Sequence, residues 1–309
     1  ATAVMPLRNL HRLWGPYWPL ALSPLWFLLF LIVSGDARAE HYIIIAALTA
    51  LAMGTPGSRR LLIAATPGIG IAFGYELIRY LRPLFVTGDR ILGCEVQALE
   101  QGLLGFGTGL TPADVFTLYN SPAADLFFAL PYTLFWGAVV VYAIALFFLH
   151  RARMHRYLWI LALTHAVAFV IWLWLPVAPP WYIREYGCQI DPAARPGAAA
   201  LMRLDARFGI SYFHDFYSRA PTVFGALPSL HVAFPAAALA ATWRSARAPE
   251  RALHLWLTLW MLAASVYLDH HWLVDGLLTL FIIAVIYALL WLFWPGFDRD
   301  APRPEGSPA

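Results

Sequence analysis

Long apolar runs separated by short polar segments dominate this chain. A helix needs about 20 mostly apolar residues to cross a bilayer. Some runs are short or contain Pro and Gly, which membrane helices tolerate where neighbouring helices satisfy the freed backbone groups. We predict an all-α polytopic membrane protein with eight spans, or seven if one weak run is re-entrant. The clear runs are 17–34, 123–149, 156–177, 252–268 and 273–294, and the weaker ones are 41–54, 60–80 and 229–244.

The composition supports a membrane protein. Hydrophobic residues make up 61% of the 309 residues and charged residues only 13%, whereas soluble domains carry about 25% charged residues. The formal net charge of +3 is too small to indicate a nucleic-acid partner.

The distribution of arginine predicts the orientation in the membrane. All 21 cationic residues are Arg, and 12 of them lie in or beside the short connections on one side of the eight-span arrangement. Because short basic connections stay in the cytoplasm, we expect both termini there. The long segments 81–122 and 178–228 then face outward. The lack of Lys and the Ala-rich stretches hint at a GC-rich genome, and hence at a bacterial cytoplasmic membrane.

The two outer segments each contain one cysteine, Cys94 and Cys188. An oxidising compartment permits a disulfide between them, and two lipid-shielded free thiols are the equal alternative. Residues 92–118 mix apolar and acidic positions, which indicates amphipathic helices at the interface. No Cys/His or carboxylate cluster has the spacing of a metal site, so we expect neither a metal nor another cofactor.

Two clusters of ionisable residues mark the candidate chemistry, since such residues are expensive in membrane helices. In residues 224–231, Pro228 and Ser229 come just before an apolar run, where Ser can cap the new helix. The first-turn amides of that helix can hold a phosphate beside His231. A histidine that merely caps the helix is the structural alternative.

In the second cluster, residues 269–275, the four-residue spacing predicts that His271 and Asp275 share a helix face. The carboxylate would accept the Nδ1 proton and leave Nε2 free as a nucleophile. We assign His270 a supporting role, and an interfacial pair without catalytic function is the alternative. Both clusters open predicted spans on the same, outer side.

Pro228-Ser229-Leu230-His231 and the later His271-x-x-x-Asp275 resemble the type-2 phosphatidic acid phosphatase superfamily. The resemblance implies a six-helix core, here with about two extra N-terminal transmembrane helices. We divide the chain into N-terminal transmembrane helices (1–59), a catalytic membrane domain (60–297) and a polar tail that we expect to be disordered (298–309). The resemblance also implies that His271 attacks phosphorus, Asp275 orients it and His231 is the general acid and base.

Within the superfamily, the sequence is most similar to the inositol phosphorylceramide synthase branch, whose fungal catalytic subunit is the target of aureobasidin A. Three segments carry this similarity: the run Phe224 to His231, the doublet His270-His271 and Pro179-Pro180-Trp181-Tyr182. This similarity covers roughly residues 178–280. It implies transfer of phosphoinositol from phosphatidylinositol, the phospholipid donor, onto a lipid alcohol such as ceramide. Nothing in the sequence requires a partner subunit.

The sequence departs from the phosphatase pattern at its phosphate-binding cations. Tyr75 occupies the position of the motif Lys, seven residues before Arg82, and Ala264-Ser265 replaces the Ser-Arg pair. Fewer fixed cations suit a singly charged phosphodiester, because an unpaired buried charge is costly. The expected phosphate-binding residues are Arg82, Ser229, Arg184, Arg219, Tyr75 and His270.

Two other functions compete with a transferase. A hydrolase of lipid phosphates or isoprenyl pyrophosphates would use the same three catalytic residues with water as acceptor. A transporter or membrane scaffold is disfavoured, since transporters place ionisable groups near the bilayer midplane. Here the charged groups lie at the ends of the predicted helices.

Overall fold

The computed structural model describes residues 11–297, which form α-helices with isolated backbone bridges in place of strands. The predicted all-α class is therefore confirmed, and the predicted tail 298–309 lies outside the described residues. The chain divides into two compact units, 1–69 and 70–309. Their boundary lies within a helix, a little beyond the predicted domain boundary at residue 59.

The first unit is a small helical hairpin. A 3₁₀ helix (Gly15–Leu22) leads into α1 (Ser23–Val33), and α2 (Ala39–Met53) returns alongside it. The indole of Trp14 donates a hydrogen bond to the Ala52 carbonyl at 3.0 Å and so joins the two ends of the hairpin. The next helix, α3 (Pro56–Phe85), begins in this unit and ends in the second.

The second unit contains the remaining helices. In chain order these are α4 (Cys94–Leu104), α5 (Pro112–Leu118), α6 (Pro122–Leu149), α7 (Arg151–Trp174), α8 (Pro180–Tyr186), α9 (Met202–Phe208), α10 (Tyr212–Tyr217), α11 (Leu230–Thr242), α12 (Ala248–Tyr267) and α13 (Leu273–Phe293). The apolar helix α11 packs against α6, α7, α12 and α13. It is therefore the central helix of this unit.

Helices occupy all eight predicted positions, but they differ in length. Within residues 11–297, α3, α6, α7 and α13 are each long and apolar enough to cross a membrane, and His11–Pro19 together with α1 adds a bent candidate. The helices α2 and α11 are apolar but have only 15 and 13 residues. The chain is thus an integral membrane protein. Its long helices α6 and α13 leave large apolar side chains on their surfaces, which suits contact with lipid.

The outer segments are folded together by a small apolar core and a few backbone hydrogen bonds. Val177 lies between Leu92 and Gly225 in two parallel bridges. The Val177 amide donates to the Phe224 carbonyl at 3.0 Å, and the Ala226 amide donates to the Val177 carbonyl at 3.2 Å. These bonds fix the backbone of residues 224–226, which lies directly beside the predicted catalytic residues.

Candidate active site

His231 and His271 lie in hydrogen-bond contact. His231 is the second residue of α11, and His271 lies in the connection between α12 and α13. The Nδ1 atom of His231 is 3.1 Å from the Nε2 atom of His271. The fold thus brings together two residues that are 40 positions apart in the sequence.

A backbone carbonyl fixes the protonation of His271. The Nδ1 atom is 2.7 Å from the Ala226 carbonyl oxygen. Because a carbonyl oxygen can only accept, Nδ1 carries the proton, and the neutral ring has its lone pair on Nε2. Ala226 was not among the predicted site residues. It contributes through its backbone carbonyl, and a sequence motif does not show which backbone groups take part in a site.

Asp275 supports the nucleophile less directly than predicted. Its Oδ2 accepts the Trp272 amide at 2.8 Å and lies 3.4 Å from His271 Nδ1, a longer contact than the one to Ala226. Helix α13 begins at Leu273, so His271 precedes the helix and does not lie on its face as predicted. The carboxylate is fully buried (0% exposed) and lies behind the imidazole.

Ser229 anchors the start of α11. Its hydroxyl accepts the Val232 amide at 3.5 Å, its amide donates to the Asp275 carbonyl, and its carbonyl accepts from the Thr279 hydroxyl at 2.9 Å. These contacts connect the first turns of α11 and α13 and so position His231 relative to Asp275. A direct contact between Ser229 and phosphate stays a prediction.

Aromatic rings enclose the histidines. Tyr132 stacks on His231 with ring centroids 4.2 Å apart, and Phe135 meets the same ring edge-on at 5.2 Å. Tyr217 lies 4.5 Å from His270. Burial and, to a smaller extent, the neighbouring His271 lower the pKa of His270 to about 3, although a hydrogen bond with the Ala198 backbone acts in the opposite direction. His270 is therefore neutral at physiological pH.

Arg184 is engaged by carboxylates. Its Nε and Nη2 atoms donate to the two oxygens of Asp269 at 3.0 and 2.8 Å, and Nη1 donates to Asp114 at 2.9 Å. The hydrogen bond to Asp269 is the main reason why the pKa of Arg184 is raised. Three of its five N–H groups are thus occupied and hold Asp269 and Asp114. A direct contact between Arg184 and phosphate stays a prediction.

The other expected phosphate-binding residues lie around the outer end of α3. Arg82 is in the last turn of this helix, and Arg79 donates a hydrogen bond to the Arg219 carbonyl at 2.7 Å. The Tyr75 ring contacts Trp172 at a centroid distance of 6.3 Å. Arg79, which was not among the expected residues, thus joins the same group of positive charge, and phosphate binding by Arg82, Arg219 and Tyr75 stays a prediction.

A disulfide joins Cys94 to Cys188, with their Cα atoms 5.6 Å apart. It ties the start of α4 to the segment after α8. No group of three or more His, Cys, Asp or Glu side chains that could hold a metal ion occurs between residues 11 and 297.

Comparison with known proteins agrees with this geometry. The model of the PAP2 superfamily matches residues 98–289, which include both histidines and Asp275. The chain belongs to the PAP2 superfamily. The predicted resemblance to the type-2 phosphatidic acid phosphatase superfamily is therefore confirmed.

Relatives within the PAP2 superfamily are named for sphingolipid synthesis. The phosphoinositol dihydroceramide synthase of Bacteroides thetaiotaomicron is 27% identical over 274 residues, covering 87% of this chain and 88% of the relative. Inositol phosphorylceramide synthase catalytic subunits of Schizosaccharomyces pombe and Saccharomyces cerevisiae are 39% and 35% identical over 37% and 32% of this chain. Those matches cover only 27% and 25% of the fungal chains. No solved structure matches this chain significantly.

Proposed function

We propose that this protein transfers phosphoinositol from phosphatidylinositol onto the hydroxyl group of a ceramide or dihydroceramide, through a phosphohistidine on His271. The observation that carries the proposal is the arrangement of the two imidazoles. The Ala226 carbonyl leaves the Nε2 lone pair of His271 available, and the Nδ1 atom of His231 lies 3.1 Å from it. The names of the relatives supply the donor and acceptor classes.

The charges near the histidines favour a phosphodiester donor. A phosphate monoester carries nearly two negative charges, whereas a phosphodiester carries one. Arg184 is paired with Asp269 and Asp114, so it has little capacity left to neutralise a second charge on phosphate. This supports a diester lipid over phosphatidic acid, because an unneutralised buried charge is costly.

In the first step, His271 Nε2 forms a bond to phosphorus while the bond from phosphorus to the diacylglycerol oxygen breaks. His231 donates a proton to that oxygen, and diacylglycerol leaves. This requires a doubly protonated His231, a form that the nearby anionic phosphate favours. The phosphorylated His271 carries positive charge, which the Ala226 carbonyl and the Asp275 carboxylate stabilise.

In the second step, the acceptor hydroxyl replaces His271 on phosphorus. Neutral His231 takes the hydroxyl proton, the new oxygen–phosphorus bond forms, and the nitrogen–phosphorus bond breaks. The enzyme returns to its starting protonation state. General acid–base help of this kind contributes about 10²–10⁴-fold to the rate. Arg82 and Arg219 are the proposed cations for the inositol phosphate group.

The reaction is assigned to the non-cytoplasmic face of the membrane. Two features support this side: the arginine-rich short connections on the opposite side and the Cys94–Cys188 disulfide in the outer segments. A phospholipid donor and a lipid alcohol would both reach the site from the outer leaflet.

The test uses detergent-solubilised protein, phosphatidylinositol labelled with ³²P in its phosphate, and ceramide or dihydroceramide as acceptor. We expect a new labelled lipid that requires the acceptor and disappears in His271→Ala. His214→Ala, which alters an exposed histidine of the outer segments, is the matched control and should keep the activity.

The products separate the competing functions. Labelled inositol phosphate formed without an acceptor would replace the transferase by a hydrolase. Full transfer by His271→Ala would remove the nucleophile assignment. A phosphohistidine trapped when acceptor is omitted, and located on His271 by mass spectrometry, would support the two-step reaction.

A further inference from the structure

Glu100 is a fully buried acid that the proposed reaction does not use. It lies on α4, the helix tied to Cys188 by the disulfide at Cys94, and its exposed fraction is 0%. Its Oε2 atom accepts a hydrogen bond from the Val274 amide at 3.0 Å. Its Oε1 atom has no hydrogen-bond partner within the described part of the chain.

The contact places Glu100 at the start of α13. The first amides of a helix lack partners within the helix, and a negative charge is favourable there. The N-cap residue, Trp272, has no side-chain oxygen to fill this role and makes no side-chain cap hydrogen bond. Glu100 therefore caps α13 from another helix, in the turn that also carries Asp275.

Asp275 and Glu100 accept hydrogen bonds from different backbone amides at the start of α13. Asp275 accepts the Trp272 amide and faces His271, whereas Glu100 accepts the Val274 amide. Movement of the turn would move Asp275 relative to the nucleophile. A carboxylate at Glu100 interacts with the charge of Asp275, which in turn lies 3.4 Å from His271 Nδ1. Its negative charge is therefore placed beside the acid that faces His271, and His271 becomes positive when it is phosphorylated.

We propose that Glu100 is a positioning residue for the phosphotransfer reaction, which holds the first turn of α13 and, when ionised, helps Asp275 to stabilise the phosphorylated His271. The proposal rests on the proposed function in requiring a phosphohistidine. It does not depend on which lipid donates or accepts the group.

The surroundings of Glu100 make its charge sensitive to pH near neutrality. Burial is the largest cause that raises the pKa of Glu100 from 4.5 to about 7. The charges of Asp275 on α13 and Asp114 on α5 act in the same direction, and hydrogen bonds from the amides of Val274 and Leu273 act against it. Asp114 is itself paired with Arg184. Below about pH 7 the protonated acid still accepts a hydrogen bond, but it no longer contributes charge.

Two opposite pH effects follow. The value of kcat should rise through about pH 7 as Glu100 ionises. The folded-state pKa lies above the unfolded value, so the folded protein binds more protons between about pH 4.5 and 7. The contribution of Glu100 to stability is therefore present below about pH 4.5 and is lost as pH rises toward 7.

Glu100→Gln tests the proposal, because the amide oxygen keeps the cap and removes the charge. Above pH 8 we expect kcat to fall about tenfold, as for other groups that orient a functional histidine, with KM within about twofold of the wild type. The rise of kcat near pH 7 should disappear. Glu95→Gln changes an exposed acid on the same helix and should keep the wild-type profile.

The outcomes distinguish this proposal from the proposed function. If wild-type protein transfers phosphate and His271→Ala does not, an unchanged pH profile in Glu100→Gln overturns the role of Glu100. If the wild type transfers phosphate to no lipid, the proposed function fails. The midpoint of unfolding, measured from pH 5 to 8, still tests whether Glu100 is a buried group that ionises in this range. If the unfolding midpoint of Glu100→Gln no longer falls as the pH rises, the result supports a buried, ionisable Glu100. If the midpoint of Glu100→Gln depends on pH as in the wild type, the result overturns this role.

Discussion

At the scale of single residues, the reaction depends on which nitrogen of each histidine carries a proton. The Ala226 carbonyl assigns the Nδ1 proton of His271, so its Nε2 atom can only accept from the His231 Nδ1–H in the neutral pair. His231 is thereby aimed at the atom that we propose attacks phosphorus. A phosphate bound to Nε2 would lie next to the proton that the leaving oxygen needs.

This geometry predicts a selective rescue of His231→Ala. With phosphatidylinositol as donor, transfer should fall by about 10²–10⁴-fold, the range for loss of general acid–base catalysis. With a 4-nitrophenyl phosphoinositol donor the loss should be much smaller, because nitrophenolate leaves without a proton. The release of nitrophenolate, followed by its absorbance, measures this directly.

The matched variant is His271→Ala, which should be inactive with both donors because it lacks the nucleophile. Equal losses of His231→Ala with the two donors would contradict its role as the acid for the leaving group. Release of the leaving group from the donor reports only the first chemical step. The comparison of the two donors therefore does not need the acceptor lipid.

The sequence singled out His231, His271 and Asp275, which the structure brings into contact, but it did not predict their surroundings. Pro228-Ser229-Leu230-His231 and the four-residue spacing to Asp275 are local patterns, and the sequence preserves local patterns directly. Tyr132 and Glu100 reach the histidines and α13 only through tertiary packing. A tyrosine inside a long apolar run and an acid on an amphipathic stretch are signals too common to select either residue from the sequence.

At the scale of elements, the connection between α12 and α13 is held by Arg184. This connection contains Asp269, whose backbone is left-handed (φ 65°). For a residue other than glycine this conformation costs about 1 kcal/mol or more and persists only where the surroundings hold it. Arg184 binds the Asp269 side chain, and the Trp181 amide donates to the Asp269 carbonyl at 3.1 Å.

Arg184→Met should therefore loosen the backbone that carries His270 and His271. It keeps the apolar stem of the side chain but leaves two carboxylates without their cation, and we expect the free energy of unfolding to fall by about 1–3 kcal/mol. Phosphotransfer should fall as well, with kcat more affected than KM. Denaturant unfolding in detergent and the lipid assay measure the two effects.

Arg207→Met, at an exposed arginine of α9, provides the control for loss of a positive charge. If both variants had the same stability and kcat, the clamp on Asp269 would have no role. The sequence located the helices on either side of this connection to within a few residues. It did not indicate the left-handed residue, because that conformation depends on Arg184, which is 85 positions away.

At the scale of the whole molecule, hydrophobicity predicted where helices lie better than how they cross the membrane. The run 60–80 was weak because of Pro67 and nearby glycines, yet α3 continues through them to Phe85. At the C-terminal end of α3, the Arg90 guanidinium donates a hydrogen bond to the Phe85 carbonyl at 2.8 Å. In contrast, α11 has only 13 residues, too few for a full span at about 1.5 Å per residue.

The proposed orientation is testable through the native cysteines. If the outer segments face the periplasm, a membrane-impermeant phosphine applied to spheroplasts should reduce Cys94–Cys188. An impermeant maleimide should then label both thiols in intact spheroplasts, and the added mass is visible on a gel. Without reduction, labelling should be absent because both thiols are bonded.

A single cysteine on the opposite side completes this test. The substitution Ala152→Cys is made in a variant with Cys94→Ser and Cys188→Ser. Residue 152 lies at the start of α7, beside Arg151 and Arg153. It should react with the impermeant maleimide only after the membrane is opened. The reverse pattern would place the histidines on the cytoplasmic face. It would also expose the disulfide to a reducing compartment, and the donor lipid would then have to come from the inner leaflet.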